Sequence, residues 1–227
     1  KSNLPARYGG RLSSIFDIST RQGNMNKYTV RGGISPITGH VAVDGPIVKD
    51  KSAFVLSARS TYSDWILRQM EDPELRDSHA AFYDLAGTVT VEPNEKNLVK
   101  AVGYYSSDDF TLSSTNQYAY SNAGGSINLK HRFGSRMNSD MALVFAQYAF
   151  KTVNKELEST AYSHDYRIDH YEIKSDNTWL TLGRHKVTFG VNGIFYNLNR
   201  GLVEPYGENS LRFPVDLGSE RGVEVAG

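Results

Sequence analysis

The sequence predicts an all-β fold, an antiparallel meander of long strands. Three observations carry the prediction. Apolar and polar residues alternate along most extended segments, short polar turns recur roughly every 45 residues, and one hairpin, Val41 to Tyr62, fixes its own register. That hairpin, VAVDGPIVKDKSAFVLSARSTY, turns at Val48-Lys49-Asp50-Lys51. Pairing Ile47 with Ser52 sets Val41 opposite Ala58, Val43 opposite Leu56 and Gly45 opposite Phe54 on one face. The other face pairs His40 with Arg59, Ala42 with Ser57 and Asp44 with Val55. One face is apolar and the other mixed or charged, and a slip of one residue would destroy that agreement. Phe54 opposite Gly45 has the pattern of an aromatic ring covering a strand glycine.

In chain order, residues 1–26 read as a separate piece. Leu12 to Thr20 has the pattern of one strand after Tyr8-Gly9-Gly10-Arg11, and Gln22-Gly23-Asn24 turns the chain. The main body, residues 27–227, opens with a strand at Lys27–Ile34 that Ser35-Pro36 ends. Short turns then fall near Val48, Asn94, Ser135 and Gly183. Strands are expected at Lys51–Tyr62, Ala80–Glu92, Asn97–Ser106, Tyr118–Phe133, Met137–Lys151, Tyr162–Thr178 and His185–Asn199. With the two before Val48 these make nine. Long polar loops are expected at Ser63–His79, Ser107–Gln117 and Thr152–Ala161, with a tail from Arg200. A repeat of this length also fits a propeller blade, but a blade needs four short strands per repeat and here there are two long ones.

Most of these strands have two distinct faces. Tyr83, Leu85, Gly87, Val89 and Val91 oppose Asp84, Ala86, Thr88, Thr90 and Glu92. Ile127, Leu129 and Phe133 oppose Asn128, Lys130 and Arg132, and Val187, Phe189 and Val191 oppose Lys186, Thr188 and Asn192. Tyr162–Thr178 alternates poorly. Within the first long loop, Ser63 to Glu71 fits two helical turns, with Asp64 near the N-terminus and Trp65, Ile66 and Met70 as an apolar side for docking.

Whether the apolar faces meet a protein core or lipid is the functional question. Among 227 residues no apolar run is long enough for a transmembrane helix. A transmembrane barrel stays open, because its strands alternate and average out as polar. The strands exceed the 5–6 residues typical of sandwiches and reach the ~9–11 that span a bilayer. Tyr62, Phe82, Tyr83, Tyr104, Tyr105, Tyr118, Tyr120, Tyr148, Phe150, Phe195 and Tyr196 sit toward the long-loop end. Phe54, Phe133 and Trp179 sit by the short turns, so two interfacial girdles are expected. The short turns are basic (Lys49, Lys51, Lys96, Arg136, Arg184, Lys186) and the long loops lean acidic, as on an object whose two ends face different surroundings.

Chemistry is sparse. Lys plus Arg equals Asp plus Glu at 25 each, so charge points to no nucleic acid, and the absence of cysteine excludes disulfides, Cys-bound zinc and thiol catalysis. Gly124-Gly125-Ser126-Ile127-Asn128 lacks the closing glycine of a nucleophile elbow. His164 and His170 are six residues apart, about 20 Å at strand rise, too far to share a metal. Asp108-Asp109 lacks the glycine and glutamate spacing of a calcium loop. No enzyme activity, cofactor or metal site is expected.

Pro5-Ala6-Arg7-Tyr8-Gly9-Gly10-Arg11-Leu12-Ser13-Ser14 resembles the end of the plug domain of TonB-dependent outer-membrane receptors, particularly those of Bacteroidetes. Gly45-Pro46-Ile47-Val48-Lys49-Asp50-Lys51, followed by Phe54, Ser57, Arg59, Thr61, Tyr62 and Asp64, resembles their first periplasmic turn and the next barrel strand. The match covers about the first 65 residues; beyond them only the pattern of turns, strands and loops is shared.

The resemblance implies an all-β segment of a transmembrane β-barrel in the outer membrane of a Gram-negative bacterium, with short turns at one end and long loops at the other. It implies residues 1–26 as the end of the plug and 27–227 as the N-terminal part of the barrel, an internal fragment of a 22-stranded family fold. The implied function is active uptake of a large nutrient, an iron chelate, vitamin or glycan, whose identity stays open. The implied partners are outer-membrane lipid, the rest of the receptor and the TonB complex, which would bind a segment outside this sequence. Tyr8, Gly9, Gly10 and Arg11 would mark the plug end. Arg59, beside His40 and on the face of Asp44, would point into the lumen and hold the plug or line the path. The alternatives are a soluble or secreted β-rich binding or adhesion domain and, behind it, a secreted β-sandwich enzyme.

Overall fold

The computed structural model describes residues 18–112, 115–181 and 185–227. Among the described residues eleven strands form one open antiparallel sheet: β1 (Thr29–Ile34), β2 (Thr38–Val48), β3 (Ser52–Thr61), β4 (His79–Asn94), β5 (Asn97–Leu112), β6 (Asn116–Arg132), β7 (Met137–Asn154), β8 (Tyr162–Leu180), β9 (Lys186–Pro205), β10 (Val215–Asp216) and β11 (Ser219–Ala226). Neighbours in sequence are neighbours in space from β1 to β10, and β11 also pairs with β9. The sheet is thus an up-and-down meander with β1 at one edge and β10 and β11 at the other.

The central hairpin pairs as its sequence dictates: His40 with Arg59, Val41 with Ala58, Asp44 with Val55 and Gly45 with Phe54. A bulge beside the turn pairs Val48, rather than Ile47, with Ser52. The Ser52 hydroxyl accepts from the Val48 amide at 3.0 Å and holds that bulge. The ring that fills the space above Gly45 is Tyr28, whose hydroxyl donates to the Pro46 carbonyl at 3.0 Å; Phe54 stands beside it, its ring centroid 6.4 Å away.

Two loop expectations are corrected. The Ser107–Gln117 loop contracts because β5 and β6 keep pairing as far as Leu112 and Asn116. Phe110 and Tyr118, paired across the strands with rings 6.4 Å apart, repay the extension, and Asp108-Asp109 lies within a strand. The tail from Arg200 is not a loop either. β9 runs on to Pro205, and β10 and β11 return along it as one interrupted strand. The interruption sits at Gly201, whose φ of 82° suits glycine and whose added Cβ would overlap the Asp165 carbonyl. The β8–β9 register shifts across Tyr166 at the same place.

The Ser63–Glu71 segment makes one helical turn, α1 (Asp64–Leu67), rather than the expected two, and a separate turn, α2 (Pro73–Arg76), follows outside it. Trp65 docks α1 over the β1–β2 turn, its indole donating to the Pro36 carbonyl at 3.0 Å, and Asp64 meets the His79 ring at 2.7 Å. At the same end, residues 206–214 fold onto the loop after β7. Leu211 donates its amide to Ser159 and Arg212 its side chain to the Thr160 carbonyl, at 2.9 and 2.8 Å. No helix among the described residues is long and apolar enough to cross a membrane.

Candidate functional site: the two faces and the N-terminal segment

Cross-strand register divides the sheet cleanly. One face carries an apolar band that no described segment covers. Leu56, Ile127, Leu143, Ile173 and Val191 are each more than half exposed. Aromatic rings mark both edges of the band. Toward the loop end Tyr83 meets Tyr105, and Phe145, Tyr171 and Phe195 follow in a row, with centroids 5.3 and 6.1 Å apart. Toward the short turns stand Phe54, Phe133 and Trp179.

The edges step along the strands. Phe54 pairs one row beyond Leu56, whereas Trp179 pairs with Met137 and Val187 at the ends of their strands. A diagonal band is what tilted strands give when the apolar layer stays level. Along β8, Tyr171 and Trp179 lie about 26 Å apart at strand rise. One row beyond Tyr171 the face turns polar. Asp169, 5% exposed, accepts from Gln147 Nε2 at 2.8 Å and Asn197 Nδ2 at 3.3 Å and lies 3.4 Å from Arg167. Ser175 and Asn177 interrupt the band on β8 and bond each other at 3.2 Å, which accounts for the poor alternation of that strand.

The other face is polar and concave. Glu92 of β4 and Lys186 of β9 line one cavity of about 790 Å³. On a flat sheet these strands would lie about 24 Å apart, so the sheet must curl toward this side. Phe82, Tyr104, Tyr118, Tyr120, Tyr148, Phe150 and Tyr196 belong to this face by register. The single loop-end girdle expected from the sequence is therefore two sets of aromatics, one facing outward and a larger one facing the concave side. Spacing along a strand locates a ring by height, and only parity with its neighbours locates it by face.

Across the concave face runs the N-terminal segment. Residues 18–26 form no strand and do not join the wall. Arg21 Nη2 donates to Asp44 Oδ1 at 2.6 Å, and the Asn24 amide donates to Asp44 Oδ2 at 3.2 Å. Arg31 Nη1 stands 3.7 Å from the same carboxylate, which is 1% exposed. The Asp50 amide donates to the Met25 carbonyl at 3.1 Å, and Lys100 Nζ donates to the Thr20 carbonyl. Gly23 passes so close to β3 that an added Cβ would overlap the Phe54 carbonyl. Asp44, Ala53, Thr88 and Thr90, all buried on this face, lie along the path from Asp44 to Lys100. A buried carboxylate in such a place needs its cations, and Arg21 with Arg31 supplies them.

Among the residues singled out from the sequence, Asp44 is the one that the described N-terminal segment meets. Arg59 lies on the concave face as expected. Its Nε donates to Asp84 Oδ2 at 2.6 Å, and its guanidinium carbon lies 4.9 Å from the Phe82 ring centre. Tyr104 adds a hydroxyl bond to the same Asp84 at 3.1 Å. His40 is opposite Arg59, exposed, with its ring over Gly33. Tyr8, Gly9, Gly10 and Arg11, and most of the strand expected at Leu12–Thr20, lie outside the described residues. Sequence reasoning missed Arg21, Asn24 and Lys100 as the groups that dock the segment. Their partners are distant in sequence, and only the unusual acid within β2 hinted that something must neutralise it.

Compared with known proteins, the chain matches no family model, no curated protein and no solved structure.

Proposed function

We propose that the chain is the N-terminal wall of a TonB-dependent outer-membrane receptor, with residues up to Asn26 as the end of its plug. The observation that carries this reading is the opposition of the two faces. An ordered segment crosses the polar concave face and is held by a buried ion pair, while an aromatic-edged apolar band on the other face stays open. A soluble domain would have to cover that band, whereas lipid covers it in a barrel. The open edges, β1 and β11, then pair with further strands of the same receptor, because a spanning sheet tolerates no free edge in lipid. The proposed role is active uptake of a large nutrient across the outer membrane of a Gram-negative cell, driven by the TonB complex.

The test is fractionation. The full-length protein that contains this segment is produced behind an outer-membrane export signal in a Gram-negative host. Recovery in the outer membrane, with detergent needed for extraction, is expected. A full-length protein recovered in the periplasm and soluble without detergent would overturn the proposal.

A further inference from the structure

The larger set of aromatics has no part in a lipid girdle, since it faces the concave side. Phe110, Tyr118, Phe150 and Tyr166 form a row across β5 to β8, one ring per strand. Centroids are 6.4, 6.4 and 5.2 Å apart, and the first two pairs are stacked at 21° and 26°. Tyr120 joins at 5.0 Å from Phe150, and Tyr148 at 5.9 Å from Tyr166. No described segment lies over the row, and Phe110 keeps 40% of its surface exposed. Apolar ring faces on the water side of a wall cost free energy unless something lies on them.

The neighbouring row toward the short turns is polar and planar. Asp84 is held by Arg59 and Tyr104, and Asn122 donates to the Ser106 hydroxyl at 3.1 Å. We infer that this part of the wall binds an oligosaccharide. The inference rests on the receptor reading above and names its nutrient class. A pyranose offers a face of C–H groups to an aromatic ring and an edge of hydroxyls to carboxylate, amide and guanidinium groups. Rings at one per strand, with planar polar groups alongside, match both. Charge separates this ligand from an anionic metal chelate. Arg59 is taken by Asp84, Arg200 by Glu220 at 3.2 Å, and Arg212 lies over the Tyr162 ring. Asp108, paired across the strands with Phe82 and Tyr120, stands among the rings. A negatively charged ligand would meet a carboxylate there, whereas an uncharged polyol meets an acceptor.

The full-length protein that contains this segment, extracted from outer membranes in detergent, is titrated with maltohexaose, cellohexaose, xylohexaose and mannohexaose, and with ferric citrate as the anionic probe. Saturable binding of at least one hexaose is expected. Tyr118→Ala and Phe150→Ala should each weaken it about tenfold, and Phe150→Tyr should retain it. In the unsubstituted chain the bound hexaose should slow nitration of the concave-side tyrosines, a readout that does not depend on whether a variant folds. Hexaoses that neither bind nor protect would overturn the proposal. So would alanine variants that fold and bind unchanged, or ferric citrate binding in place of sugar. A full-length protein that inserts in the outer membrane yet ignores sugars leaves the receptor reading standing, and one that never inserts overturns the receptor reading itself.

Discussion

Arg21 and Asp44, separated by 23 positions, meet at 2.6 Å on the concave side of the sheet, and the carboxylate is sealed from solvent while the arginine remains partly exposed. The contact joins two pieces of chain that share no strand pairing. Asp44→Asn should therefore loosen the N-terminal segment and leave the sheet in place. Limited proteolysis within residues 18–26 should quicken severalfold while the resistant core keeps its size. An unchanged cleavage rate would mean that the Asp50–Met25 and Lys100–Thr20 contacts hold the segment without the ion pair.

The Arg59–Asp84 pair should behave differently, because Arg59 is more than half exposed. A double-mutant cycle with Arg59→Ala and Asp84→Ala should return a coupling of about 0.2–1 kcal/mol that shrinks with added salt. Uptake by a full-length receptor carrying Arg59→Ala would test the separate question of function. Unchanged uptake would leave Arg59 as wall alone.

Much of the sheet is legible in the sequence because a period of two, repeated over long strands, assigns each residue a face, and the short turns then set the register of each pair. The hairpin shows this best. Val41, Val43, Phe54 and Leu56 agree on a face before any partner is known, and the observed pairing keeps them together. Strand ends are less legible. Asp108 and Asp109 look like loop residues, but pairing with β4 on one side and β6 on the other, with Phe110 stacked on Tyr118, keeps them extended. Ser219–Ala226 does alternate, with Val223 and Val225 on the apolar face, but only its pairing with Asn192–Asn199 of β9 shows that the tail returns as a strand. The docking site was half legible. The face of Asp44 follows from parity, whereas its contact with Arg21 depends on how a strandless segment crosses the sheet.

Gly201 offers a test of the second correction. Gly201→Ala must strain a φ of 82° and displace the Asp165 carbonyl, while Gly207→Ala has a similar φ of 81° and meets nothing within 4 Å. Both should destabilise, Gly207→Ala by about 1–2 kcal/mol and Gly201→Ala by more. Urea unfolding from lipid vesicles measures both. Equal effects would remove the close approach between Gly201 and β8.

Charge placed on the two faces should cost different amounts. Ile127→Arg puts a guanidinium in the exposed apolar band and should cost about 2–4 kcal/mol at mid-depth. Asn128→Arg, next along β6 but on the concave face, should cost less than about 1 kcal/mol, since its partner there is one Ser126 hydroxyl at 3.0 Å. Similar losses at both positions would contradict the division of the faces.

The claim that lipid covers the apolar face has its most direct test in cysteine scanning, because the chain contains no cysteine of its own. Single cysteines at residues 125–129 of β6 and 171–175 of β8, labelled with an environment-sensitive fluorophore, are reconstituted in bilayers. Quenching by nitroxide lipid and by aqueous iodide is measured at each position. Alternation with a period of two is predicted, with lipid quenching strongest at Ile127 and Ile173 and iodide quenching strongest at Asn128 and Glu172. Strong iodide quenching and weak lipid quenching at Ile127 and Ile173 would contradict the account.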